Sequence, residues 1–188
     1  DGSFSAKNVQ NQTYTLTSLL KGDGTASFGL NAGSFVFGNA FQSTEFSGTL
    51  ALSNGSIDLA ENTGKLSNTH LSLDDVTAIL NTGTLADQSI GNLTLQNSVI
   101  DFGSLTFNTD EGQINTSAIS GSDSTVTLNL QVVDLSDGAS SPVFEGEASV
   151  VLFEGLSDYD GSLSLDDNTQ ALDQKVQQDD QVVATLKY

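Results

Sequence analysis

Four stretches of the chain, residues 28–37, 50–59, 71–80 and 93–102, repeat one pattern of apolar and polar positions and line up without a gap. Their starts lie 22, 21 and 22 residues apart. Apolar side chains recur at the first, third, eighth and tenth positions of each. The columns read Phe28/Leu50/Leu71/Leu93, Leu30/Leu52/Leu73/Leu95, Phe35/Ile57/Ala78/Ile100 and Phe37/Leu59/Leu80/Phe102, with Ala78 the one small member. Within each half the apolar residues stand two apart, which puts them on one side of a strand. A helix would need spacings of three and four, and these segments lack them.

The four residues between the halves are mostly polar or glycine, as in Ser53-Asn54-Gly55-Ser56, and predict a corner between two short strands. Two strands, a corner and a variable return make one turn of a coil. Turns stacked at about 4.8 Å would set each column as a ladder of like side chains inside it. The fold expected is therefore all-β, a right-handed parallel β-helix with about 21–22 residues per rung. An all-β sandwich would instead show turn signals every 8–12 residues or so.

The ninth position of each segment, Val36, Asp58, Ile79 and Asp101, should face outward, with aspartates on alternate rungs. Such spacing avoids placing like charges directly opposite. The returns carry further apolar residues, Phe41, Phe46, Leu66, Leu85, Ile90, Leu105 and Phe107, which suggest a third side of uncertain register. Residues 1–26, including Tyr14-Thr15-Leu16 and Leu19-Leu20, read as an incomplete first rung. Past Ile114 the period blurs. Val126–Leu130, Val150–Phe153 and Val182–Leu186 still read as strands, whereas Ser157–Gly161 is turn-like and Asp166–Thr169 and Gln177–Asp180 read as polar loops. A solenoid exposes its last rung and needs a cap of atypical sequence. The chain is accordingly divided into parallel rungs over 1–121 and terminal rungs with a hairpin-like cap over 122–188.

Composition narrows the function. Twenty-four acidic residues face five lysines, arginine is absent, and the net charge is −19. Nucleic acid and anionic lipid are poor partners for such a chain, because phosphate binding needs a basic footprint. Neither an EF-hand nor a Gly-Gly-x-Gly-x-Asp repeat is present to gather the six to eight oxygens that calcium requires. No cysteine is available for disulfides, which suits an exported chain that must stay unlocked while crossing membranes. No apolar run approaches a membrane span and no signal peptide opens the chain, so an exported protein would contain these residues internally.

Rungs such as Asn92–Phe107 resemble the stem of bacterial autotransporter passengers. The stretch from Ser124–Leu130 through Val150–Glu154 to Ala184–Tyr188 is similar to the autochaperone-like region that completes such a stem before a membrane barrel. The resemblance covers about residues 27–188. It implies export through the periplasm of a Gram-negative bacterium and display at the cell surface or outside the cell. It further implies a shaft acting as adhesin or in self-association, with host surface or matrix as partner, and a membrane contact only through a barrel.

Candidate chemistry is sparse. The only histidine, His70, precedes the inward Leu71 and should face out, unsuited to a Ser–His–Asp triad; Gly121–Ser124 has the wrong order for a nucleophile motif. One histidine and no cysteine leave structural zinc without ligands. Asp158/Asp160 and Asp166/Asp167 are the carboxylate pairs a glycosidase would need, but exposed loop acids are the ordinary case. A uronate lyase would need cations that are missing here. Asn54, Asn92 and Asn115 begin glycosylation sequons, expected by chance in so polar a chain. The expectation is a non-catalytic shaft with no cofactor and no metal. The alternatives are the stem of a protease-type passenger whose catalytic part lies upstream, and a polysaccharide-acting β-helix.

Overall fold

The computed structural model describes residues 2–17, 19–38, 45–59, 65–80, 88–106, 114–131, 147–159, 163–167, 174–178 and 181–187. Among them no α-helix forms. The first turn contributes β1 (Ser3–Lys7) and β2 (Thr13–Leu16), and the next three begin with β3 (Thr25–Phe37), β4 (Thr49–Asp58) and β5 (Leu66–Ile79). There follow β6 (Gln88–Gln96) and β7 (Val99–Thr106), then β8 (Ile114–Thr116), β9 (Ala118–Ser122) and β10 (Ser124–Gln131). The last turn holds β11 (Glu147–Glu154), β12 (Asp158–Tyr159) and β13 (Leu163–Asp167), and β14 (Gln174–Gln178) and β15 (Gln181–Lys187) end the chain. Every pairing from β1 to β13 is parallel. The protein is a parallel β-helix.

Parallel stacking follows from the inward columns. Leu50 pairs with Leu71 and Leu71 with Leu93, Leu52 with Leu73 and Leu73 with Leu95, and Ile57 with Ala78 and Ala78 with Ile100. All are buried, as are Leu59, Leu80 and Phe102. Burying one such side chain contributes about 1.5–3 kcal/mol, and the ladders bury one on every turn. Between them Val36, Ile79 and Asp101 stay partly exposed and Asp58 is exposed, so the ninth position faces out as expected.

The first repeat is out of the expected register. Ala26, not Phe28, pairs with Leu50, and Phe28 pairs with Leu52. The cause is corner length. The pairing Gly29↔Ser53 resumes at Gly33↔Gly55, so Leu30, Asn31 and Ala32 stand opposite the single residue Asn54. Asn31 (φ 52°) and Ala32 (φ 63°) take left-handed conformations to make the wider bend. Leu30 leaves its expected column and fills the corner instead, over Gly55: a Cβ on Gly55 would lie 2.6 Å from the Leu30 Cβ. A gapless alignment hides this, because two extra corner residues shift the strand by its own period of two.

Later corners share one device. Asn54, Asp75, Asn97 and Asp123 all have φ between 46° and 56°, the left-handed region that Asn and Asp tolerate best after glycine. Such a bend turns backbone amides away from the ladder, and serines inside the corner recover them. The Ser98 hydroxyl accepts from the Val76 amide at 3.1 Å and donates to the Gln96 carbonyl at 2.8 Å. One turn on, the Ser124 hydroxyl accepts from the Ser98 amide at 3.1 Å and donates to the Ser122 carbonyl at 3.0 Å. Both serines are buried. Ser98→Ala and Ser124→Ala should each leave a buried N–H unsatisfied and cost about 1–3 kcal/mol, read from urea unfolding. Losses below about 0.5 kcal/mol for both would refute this role.

The return segments form the third side. Phe46, Leu66 and Ile90 are buried there, with Leu66 paired to Ile90 and Phe46 bridged to Gly22. Leu105 belongs to β7 and pairs with Leu130. Phe41, Leu85 and Phe107 lie outside the described residues.

The blurring beyond Ile114 reflects longer returns. Leu93 pairs with Ile119 and Ile119 with Tyr159, continuing the first inward column, while the sequence interval grows from 22 to 26 and then 40 residues. Three readings of the C-terminal part need correction. Asp158 and Tyr159, expected in a turn, form β12, because the Tyr159 ring packs on the core above Ile119. Asp166 and Asp167, expected in a loop, belong to β13 and pair with Thr127 and Leu128. Likewise Gln177 and Gln178 complete β14. Antiparallel order begins only with the β14–β15 hairpin, whose second strand lies along β11. That hairpin occupies the outer edge of the last turn, as a cap should.

Candidate interaction surface

The inward alternation leaves every second residue pointing out, and parallel register lines these up along the coil. On the first side the rows are Thr25/Thr49/His70/Asn92, Ser27/Ala51/Ser72/Thr94/Ser120 and Gly29/Ser53/Asp74/Gln96/Ser122. On the second they are Ser34/Ser56/Thr77/Val99/Thr125/Ser164 and Asp58/Ile79/Asp101/Thr127. Side chains one turn apart are thus close enough to bond. Thr94 Oγ1 lies 3.1 Å from Ser120 Oγ, Thr13 Oγ1 2.9 Å from Ser34 Oγ, and Thr125 Oγ1 3.0 Å from Ser164 Oγ. The Ser122 hydroxyl donates to Gln96 Oε1 at 3.0 Å. Short hydroxyl side chains held this way lose little further rotamer freedom when a partner arrives.

His70 faces out as expected, half-buried. Its Nε2 sits 2.8 Å from Thr94 Oγ1, making a chain from His70 through Thr94 to Ser120 across the first side. No carboxylate completes a triad in that chain; its members serve the row. Asp158 is exposed at the edge of β12, and Asp160 lies outside the described residues. Asp166 belongs to β13 and pairs with Thr127, while Asp58 and Asp101 stand in one outward row with Ile79 between them. Of the sequon residues, Asn54 is committed to the fold, its Oδ1 accepting from the Ala32 amide at 2.9 Å. Asn92 and Asn115 are exposed. Gly121 and Ser122 end β9 and Ser124 begins β10, with Asp123 at the corner between them.

A shallow trough of about 540 Å³ runs over the first side. Small outward residues, Ser27, Ala51 and Ser72, form its floor, with Lys7 and Asp74 at opposite ends. Sequence reasoning missed this trough, although the small residues in one outward column were the available signal. Among the described residues no group of three or more His, Asp or Glu side chains could hold a metal ion, and no helix is long and apolar enough to cross a membrane. Searches of protein-family models, of curated proteins and of solved structures each return no match to this chain.

Proposed function

We propose that the chain is a non-catalytic shaft of a surface-displayed bacterial passenger of the autotransporter kind, acting in adhesion or self-association, with its C-terminal hairpin serving as a folding cap. The observation that carries this reading is the registered rows of Ser, Thr, Asn and Asp along both outer sides. Such rows present many weak hydrogen-bonding groups at one axial spacing. Each contact is worth about 0.5–1.5 kcal/mol, so useful affinity arises only by summing along the length. An extended surface of matching repeat, either a host matrix or a neighbouring shaft, is the partner that geometry suits. Excess negative charge keeps unengaged shafts apart, so attachment depends on close polar contact. The antiparallel strand β15 on β11 supports the capping role, since it occupies an edge that would otherwise template further strands.

The test is display of the full passenger on cells, with the native rows and with Ser56→Lys/Thr77→Lys in the second outer side. Native display should produce aggregation or attachment to matrix-coated surfaces. The double variant should lose most of that effect while its Tm moves by no more than a few degrees, because both positions are outward. Cells that neither aggregate nor attach would refute the proposal.

A further inference from the structure

We infer that the trough on the first side is a binding site for an extended, uncharged glycan, which lies along the coil with successive sugars over successive turns. The inference deepens the adhesion reading, on which its biological role rests, although the binding itself is separately testable.

Gly29, in the lining of the trough, carries the inference. Glycine weakens a strand, because it loses more entropy on ordering and packs no side chain, so its presence inside one calls for a reason. The other strand glycines among the described residues have such a reason. A Cβ on Gly33, Gly55, Gly91 or Gly121 would lie between 1.7 and 2.9 Å from a carbonyl oxygen of the preceding turn, and Gly103 takes a left-handed φ of 62°. Gly29 shows neither. A Cβ there would meet nothing nearer than Lys7 Cγ at 3.7 Å and Ser53 Oγ at 3.9 Å, and its φ is not left-handed. The wide corner that follows bends at Asn31 and Ala32 instead. All that a side chain at residue 29 would remove is open space above the sheet. A strand glycine that the fold does not demand marks a place where another molecule approaches the backbone closely.

The surroundings select the molecule. Ser27, Ser53 and Ser72 line the trough with hydroxyls that bond to nothing else among the described residues. Further along the same side, by contrast, Thr94 and Ser120 are bonded to each other and Ser122 to Gln96. A hydroxyl both donates and accepts, so such a set suits a chain of sugar hydroxyls. Asp74 at one end can accept from a vicinal pair of them, and Lys7 at the other can donate to a sugar oxygen. An extended peptide is less suited. β3, β4 and β5 are each paired on both sides, so they offer no free edge for a peptide strand to join. The net charge of −19 disfavours a polyanionic chain. Turns about 4.8 Å apart match the advance of one sugar in an extended β-linked chain. The trough faces sideways, so a turn stacked before β1 would lengthen it rather than cover it.

Titration calorimetry of the full chain with tetrasaccharides of β-1,4-linked glucose, mannose and N-acetylglucosamine tests the inference. Saturable binding of at least one is expected, with Kd on the order of 0.1–1 mM. Gly29→Gln fills the trough and should weaken binding at least about tenfold while melting no lower than the native chain. Ala51→Gln, in the outward row beside it, should act alike. Gly2→Gln adds the same side chain where nothing lies within 4 Å and outside the trough, and should leave binding unaltered. A tetrasaccharide of galacturonate should bind at least about tenfold more weakly than the best neutral one. No binding of any neutral tetrasaccharide, native affinity in both filled variants, or equal affinity for the acidic chain would each overturn the inference. Native cells that fail to attach while the purified chain binds sugar would sink the adhesion reading and uphold the site.

Discussion

Leu73→Asp is expected to destabilise the coil by roughly 3–5 kcal/mol, while Ser72→Asp, its immediate neighbour, should cost less than about 0.5 kcal/mol. Leu73 is 1% exposed and stacked between Leu52 below and Leu95 above. A carboxylate there would be surrounded by alkyl groups, with neither water nor a cation to compensate it, and the methyl contacts to both neighbours would be lost. Ser72 points to the other side, between Ala51 and Thr94, where an added carboxylate stays hydrated. Its nearest cost is repulsion from Asp74, two residues along the same face, which solvent screens. Thermal melts should separate the two variants by roughly 10 °C. Equal melting temperatures would mean that the inward and outward assignments along β5 are wrong.

Gly121→Ala should destabilise by roughly 3–4 kcal/mol, a large effect for one methyl group. Gly121 occupies the column that Phe28, Leu52, Leu73 and Leu95 fill in earlier turns, and it pairs with Leu95. A Cβ at this position would lie 1.7 Å from the Leu95 carbonyl oxygen, so the strands would have to part. Its φ of +150° adds a second cost, since a residue with a Cβ rarely adopts it. Ser120→Ala on the exposed side of the same strand gives the comparison, and should fall within about 0.5 kcal/mol of the native chain. A Gly121→Ala variant as stable as the native chain would show that β9 can retreat from β6 without loss.

These two sites differ in how they could be found. Leu73 is legible in the sequence because its column repeats at a constant interval and burial demands an apolar side chain on every turn. Gly121 is not, because it belongs to the same column by register but breaks its chemistry. Placing it requires knowing that the return before β9 is longer than the earlier ones. The outward rows were foreseeable in kind, as the complement of the inward columns, and the outward direction of His70 followed from Leu71. The bond from His70 to Thr94 was not foreseeable, since it joins residues 24 apart through a pairing whose interval varies along the chain.

What the sequence determined by itself is the coil and its central columns from Leu50 to Phe102. An inward position in a narrow core accepts only apolar side chains, and that requirement leaves a period of two within strands and about 21–22 between turns. Tertiary structure alone decided the rest. The wide corner at Leu30–Ala32 shifts residues 25–29 by two places against the next turn, and alternation of period two cannot report a shift of two. Polar segments at Asp158–Tyr159 and Asp166–Asp167 became strands because ladder hydrogen bonds belong to the backbone, which any side chain carries. Composition records what must be buried; only the stacked chain shows which side chains meet.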